Sequence, residues 1–227
     1  MTIDTENLLN SILGSLDRIE NIKPDDIPNI DLYMDQVTTF MDSRLRGSAR
    51  NPGDDKILTK TMINNYAKNN LIPSPIKKKY SKEHILLLIF IYYYKSILSI
   101  TDIQTLLTPI TENFFSKDKN FDLEDIYREV FSMEKEMVED MKQDVIQKFK
   151  RAEDTFSDAP EKNQEFLKKF SFICLLSFDV YVKKLLIEKM IDEIHATDVR
   201  TREKNSKEKN KEDKSPKSEK VKKEKTS

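Results

Sequence analysis

Apolar residues recur along most of this chain every three or four positions, the spacing that gathers them on one side of a helix. Over 3–22 they fall at Ile3, Leu8, Leu9, Ile12, Leu13, Leu16 and Ile19, which predicts a short amphipathic helix lying on the main body, ended by Pro24 and Pro28. The run 33–45 carries Tyr33, Met34, Val37, Phe40, Met41 and Leu45 on one side and predicts a second helix, while 46–55, with Gly47, Pro52 and Gly53, predicts a loop. Thr59 can cap a helix over 60–69, because its hydroxyl accepts from the free N–H groups of a first turn. Asn70 tolerates the left-handed conformation that ends helices, and Pro73 and Pro75 forbid continuation.

Ser81 caps the next helix, whose body over 85–98 is apolar on nearly every side and must therefore be enclosed. Thr101 and Gln104 have capping-box spacing and open a short helix through Leu107, with another short piece at 110–116. From Asp122 the chain has its strongest period, with Leu123, Ile126, Tyr127, Val130, Phe131, Met137, Val138, Met141, Val145, Ile146 and Phe149 on one long helix. A turn over 152–161 and a second long helix over 161–194 make an antiparallel hairpin. From Ala196 the apolar content nearly vanishes, so 196–227 is expected to be a disordered charged tail. The predicted class is all-α, with 1–29 an N-terminal helix and linker, 30–110 a first domain and 111–195 a C-terminal helical region.

Charge changes this picture because it is segregated. The formal net charge is −1, yet 59–107 hold seven basic and two acidic residues while the segments on either side are acidic. A basic block between acidic neighbours is the electrostatic footprint of a polyanion site, with chance scatter of solubilising lysines as the alternative. From 200 onward the chain is basic too, but six acidic residues there dilute any attraction. One cysteine, Cys174, can neither close an internal disulfide nor build a zinc cluster, and a reducing cytoplasm is expected. The opening Met-Thr-Ile-Asp-Thr-Glu lacks the layout of a signal peptide. The longest apolar run, 85–94, is half the length of about 20 residues that a spanning helix needs, so no membrane is expected.

Within the basic block, helical phase separates two faces of 60–69. Met62, Ile63, Tyr66 and Ala67 fall inward. Thr61, Asn64, Asn65 and Lys68, at i, i+3, i+4 and i+7, share an acid-free outer face flanked by Thr59 and Lys60. Asn can bond the N6 and N7 edge of adenine in the major groove, Thr can touch a thymine methyl or a phosphate, and Lys meets phosphates. Just downstream Lys77, Lys78, Lys79 and Tyr80 sit in a proline-constrained loop, the layout of a basic wing beside a recognition helix. An ordinary solvated helix face is the alternative, though such faces usually mix Glu with Lys.

Residues 58–72 resemble, without a gap, the MerR pattern of a capped recognition helix that ends in Tyr, a basic residue and a Leu-hydrophobic-Pro exit. Lys79-Tyr80-Ser81 resembles that family's wing exit, and the stretch from Ile100 to Ile103 its late helix start. Residues 30–110 look like the uncharacterised Firmicute family catalogued as domain of unknown function 1836, whose members are regarded as transcription regulators. The resemblance implies a winged helix-turn-helix fold in which Thr61, Asn64 and Asn65 face DNA and residues 77–80 form the wing. Asn64, Asn65 and Asn70 stand where MerR proteins carry a basic residue, a tyrosine and a glycine, and no effector domain with ligand-binding cysteines follows.

Catalytic sets are hard to assemble. Only His84 and His195 are present, three isolated glycines cannot build a phosphate loop, and the acidic residues 134–140 alternate with lysine as a solvated face does. The expectation is a non-enzymatic regulator without metal or cofactor, binding double-stranded DNA as a homodimer through the hairpin and implying no particular effector. A helical protein-interaction module without DNA binding is the rival.

Overall fold

The computed structural model describes residues 5–17, 22–49, 53, 57–116 and 121–212. Eight α-helices run among them: α1 (Thr5–Leu16), α2 (Met34–Leu45), α3 (Lys60–Lys68), α4 (Lys82–Tyr94), α5 (Ile100–Phe114), α6 (Leu123–Ser132), α7 (Glu134–Glu153) and α8 (Glu161–Glu212). The mostly helical class is as predicted. A small ribbon is added to it, in which β1 (Leu32–Tyr33) pairs antiparallel with β2 (Lys79–Tyr80), Leu32 opposite Tyr80 and Tyr33 opposite Lys79.

Every side chain from Glu83 to Ile91 on α4 is buried, so this helix is the axis of the main core, as its all-round apolar sequence requires. α6 lies on it through Phe90 and Tyr127, whose rings meet edge-on at 5.5 Å. Tyr127 is fully buried, and its hydroxyl donates to the Ile22 carbonyl at 2.7 Å, joining α6 to the segment before β1. Ile187 and Ile191 of α8 pack on the same core. A second, smaller core of Val145, Ala152 and Phe172 lies between α7 and α8 under the apolar side of α1, which gives the predicted hairpin and seats the first helix on that hairpin rather than on the main core.

Four boundaries differ from the sequence expectation. The cap of α5 is Ser99 and not Thr101: Ser99 Oγ accepts from the Asp102 N–H at 3.1 Å while Asp102 Oδ2 accepts from the Ser99 N–H at 3.1 Å. A carboxylate three residues after the cap closes the box two residues earlier than Gln104 could. The two short helices predicted over 101–116 are one helix that carries Pro109 inside it, with the Thr108 and Thr111 hydroxyls donating to the carbonyls of Gln104 and Leu107. The long helix predicted from Asp122 breaks at Met133, because α6 follows the α4 core while α7 turns its apolar face to α8.

Last, α8 does not stop near Ile194 but continues as helix to Glu212. Lack of apolar surface denies the segment packing, but a helix already nucleated propagates at little cost through Lys and Glu when no Gly or Pro interrupts it, and none does between Glu161 and Glu212. Residues 213–227 of the predicted tail, residues 50–52, 54 and 55 of the predicted 46–55 loop, and Ile3 and Ile19 of the first predicted helix lie outside the described residues.

Candidate nucleic-acid interface

The helix with the acid-free face is held at both ends by its own sequence. Thr59 Oγ1 accepts from the Met62 N–H at 3.1 Å, the cap expected of it. At the other end Asn70 takes φ 57°, the Asn70 N–H donates to Ala67 O at 3.2 Å and the Leu71 N–H donates to Tyr66 O at 2.9 Å. That is a Schellman end, and it drives Leu71 and Ile72 into the core. Ile63 and Tyr66 are buried on the inner side, and Met62 and Ala67 half-buried. Lys60, Thr61, Asn64, Asn65 and Lys68 are exposed, as helical phase predicts.

Two residues to which the sequence assigned no part in this site fix α3 against the body. Lys95, past the end of α4, donates through Nζ to the Ile57 carbonyl at 2.7 Å, and burial lowers its pKa. Gln104 of α5 donates through Nε2 to the Asn69 carbonyl at 3.2 Å. These bonds span 38 and 35 residues, so nothing local in the sequence announces them.

The loop after α3 ends in a tight turn. Ile76 and Lys79 form an antiparallel bridge, with the Lys79 N–H donating to Ile76 O at 2.9 Å. Between them Lys77 and Lys78 both adopt left-handed backbone, φ 51° and 64°. Positive φ at both central positions is the type I′ pattern whose twist suits a two-stranded ribbon, and Asn-Gly is its ordinary occupant. Two lysines here are held at some cost, and they stand exposed at the tip. Among the described residues Lys68, Lys77 and Lys78 make no ion pair.

The remaining predicted contacts are placed less favourably. Lys79 is half-buried with Nζ 5.1 Å from the centre of the Tyr33 ring. Tyr80, counted with the wing on sequence, is buried and drops out of the interface: alternation along β2 turns it inward, where its ring meets His84 edge-on at 5.5 Å. Burial raises its pKa. Thr59 is half-buried with its oxygen committed to the cap. Lys60 forms an ion pair with Asp35 of α2, so the face that is acid-free in sequence gains one carboxylate at its edge. Asp42, in the groove between α2 and the start of α3, is taken up by Arg46.

His84 occupies the third position of α4, where Nδ1 accepts from the Ser81 N–H at 3.0 Å. The ring is buried and Nε2 makes no hydrogen bond of good geometry. Burial lowers its pKa, outweighing the Pro73 carbonyl and Glu83, which favour the charged form. Through its edge-on contact with Tyr80 it links β2 to the core. Among the described residues no group of three or more His, Cys, Asp or Glu side chains could hold a metal ion, and no helix is long and apolar enough to cross a membrane.

Residues 22–130 match a protein family described as Domain of unknown function (DUF1836). The matched span starts at the residue whose carbonyl accepts from Tyr127 and contains α3, the ribbon and α4 entire, so it is wider than the 30–110 expected. No curated protein and no solved structure matches the chain.

Proposed function

We propose that this chain is a DNA-binding transcriptional regulator of the cytoplasm, a winged-helix protein similar to the MerR readers and not an enzyme. In this reading α3 enters the major groove, and the type I′ turn lays Lys77 and Lys78 on the backbone or in the neighbouring minor groove. The observation that carries it is the joint exposure of Thr61, Asn64, Asn65 and Lys68 on one side of a helix anchored at both ends, next to a lysine-tipped ribbon. The order α2, α3, ribbon, α4, with β1 pairing back onto the wing strand, supports the winged-helix comparison.

Asn64 and Asn65 are the base-reading candidates, each able to make a bidentate bond to adenine. Lys68, Lys77 and Lys78 supply the sequence-independent attraction to phosphates, with lesser parts for Lys60 and Lys79. A helix of nine residues reads too few bases to be selective alone, so the functional form is a homodimer on a two-fold site. Fluorescence titration against genomic fragments tests the reading. Binding that weakens steeply with salt is expected, and absence of binding at low ionic strength overturns it. Asn64→Ala with Asn65→Ala separates this reading from a protein-interaction module, since only a DNA reader loses sequence discrimination while staying folded.

A further inference from the structure

Helix α8 has two apolar sides and only one is covered. Its charged residues between 166 and 182 all turn toward the rest of the molecule: Lys168 pairs with Glu153, Lys169 with Glu165, and Asp179 receives Lys148 of α7 at 2.8 Å. Away from them Phe166, Phe170, Ile173, Phe178, Tyr181 and Leu185 stand 45% to 69% exposed, and between them lie Cys174 and Ser177, also exposed. From Phe166 to Tyr181 that side carries no charge over about four turns, which is not how a solvated face is built, and Lys184 joins it only near its end.

The order of this stripe identifies its occupant. The intervals between successive members, 166, 170, 173, 174, 177, 178, 181 and 185, read the same from either end. Turned about a two-fold axis between Cys174 and Ser177, the stripe falls on itself with aromatic or aliphatic side chains meeting at every step: Phe166 with Leu185, Phe170 with Tyr181, Ile173 with Phe178. An isologous pair needs a face that complements itself, and this one meets itself apolar on apolar about that axis. From those exposures the six side chains offer about 700 Å² per copy, taking roughly 200 Å² for a whole aromatic side chain. That is close to the ~800 Å² per partner of a stable complex and above what a monomer ordinarily leaves bare.

We propose that the outward face of α8 from Phe166 to Leu185 pairs antiparallel with the same face of a second copy, with Cys174 and Ser177 flanking the axis. This supplies the contact for the homodimer of the preceding section, but it stands on the helix and not on DNA. Sedimentation of the full chain without DNA tests it. Wild type sediments as a dimer, and Phe170→Glu with Tyr181→Glu weakens association about a hundredfold or more with unchanged helix content. A monomeric wild type, or a well-folded double variant that remains dimeric, overturns the proposal. Crosslinking decides the sense and serves alone if that variant misfolds. In a Cys174→Ser background, chains carrying Phe170→Cys and Tyr181→Cys are mixed and treated with a short bismaleimide. The antiparallel pair joins 170 to 181, and joining of 170 to 170 overturns it. A dimer that fails to bind DNA would count against the function proposed above and leave this interface intact.

Discussion

The lysine turn supports a prediction in which stability and binding move in opposite directions. Lys77 and Lys78 hold φ 51° and 64°, a region where the Cβ of an L-residue crowds the backbone at a cost of about 1–2 kcal/mol per residue. Replacing them with Asn and Gly installs the preferred type I′ pair. Relief of about 1 kcal/mol at each position is offset by about 0.5–1 kcal/mol for the greater freedom of Gly in the unfolded chain. The net gain is about 1 kcal/mol. For a protein of this length that raises Tm by roughly 2–4 °C.

The same change removes two exposed cations. If both sit on phosphates, the slope of log affinity against log salt falls by about 2, at roughly 0.9 per contact, and affinity drops at every DNA sequence alike. Calorimetric or fluorescence melting and salt-dependent titration of Lys77→Asn with Lys78→Gly measure the two effects on one protein. A lower Tm would refute the assignment of strain to the turn. A higher Tm with an unchanged salt slope would show the turn strained for some reason other than DNA.

Asn64→Ala and Asn65→Ala should each cost about 1–3 kcal/mol in discrimination between specific and random duplexes, with Tm unchanged because both side chains are exposed; competition titrations read this. Tyr127→Phe should cost about 1–3 kcal/mol in denaturant unfolding, because it strands the buried Ile22 carbonyl without its donor. For His84, burial lowers the folded pKa below the unfolded value near 6.5, so below that pH the unfolded chain takes up a proton that the folded one refuses. Stability should therefore be fully present above that value and fall as pH drops through it, by at most about 1.4 kcal/mol per unit, and His84→Gln should flatten that part of the profile in pH-dependent unfolding. Lys95→Met should leave the fold standing while loosening the entry to α3, seen as faster amide exchange at Ile63 and Tyr66, since the Ile57 carbonyl loses its donor.

What the sequence discloses here follows from which interactions are local. The inner and outer sides of α3, the Thr59 cap and the Asn70 end were all legible because each depends on residues within five positions of one another. The enclosed α4 was legible because a helix without a polar side has one fate. Tyr80 was misplaced for lack of a strand assignment: β1 and β2 are two residues long, too short to show alternation, and only their pairing decides that Lys79 faces outward and Tyr80 inward. The turn type was illegible because lysine is a poor occupant of left-handed backbone. The Met133 break does leave a mark: between Phe131 and Met137 the three-or-four spacing lapses, with Glu134 and Lys135 where apolar residues would continue it, and there the partner changes from α4 to α8.

Tertiary placement also alters the chemistry of the site. Asp35 lies 25 positions before Lys60 in sequence and neutralises it on the surface, but both side chains are more than half exposed, and such a pair is worth at most about 1 kcal/mol. A phosphate can compete for Lys60 at that cost. The contacts behind the helix work the other way. With Leu71 and Ile72 buried, Ile57 bonded to Lys95 and Asn69 bonded to Gln104, α3 is fixed to α4 and α5 at both ends before any ligand arrives. Little conformational entropy is then left to lose on binding, and the short outer face can spend its few polar groups on contacts. If α3 reads DNA and α8 pairs two copies as proposed, the pair fixes the separation of the two reading helices: changes in the α8 stripe should then alter the preferred spacing between half-sites, and changes at Asn64 or Asn65 the bases within them.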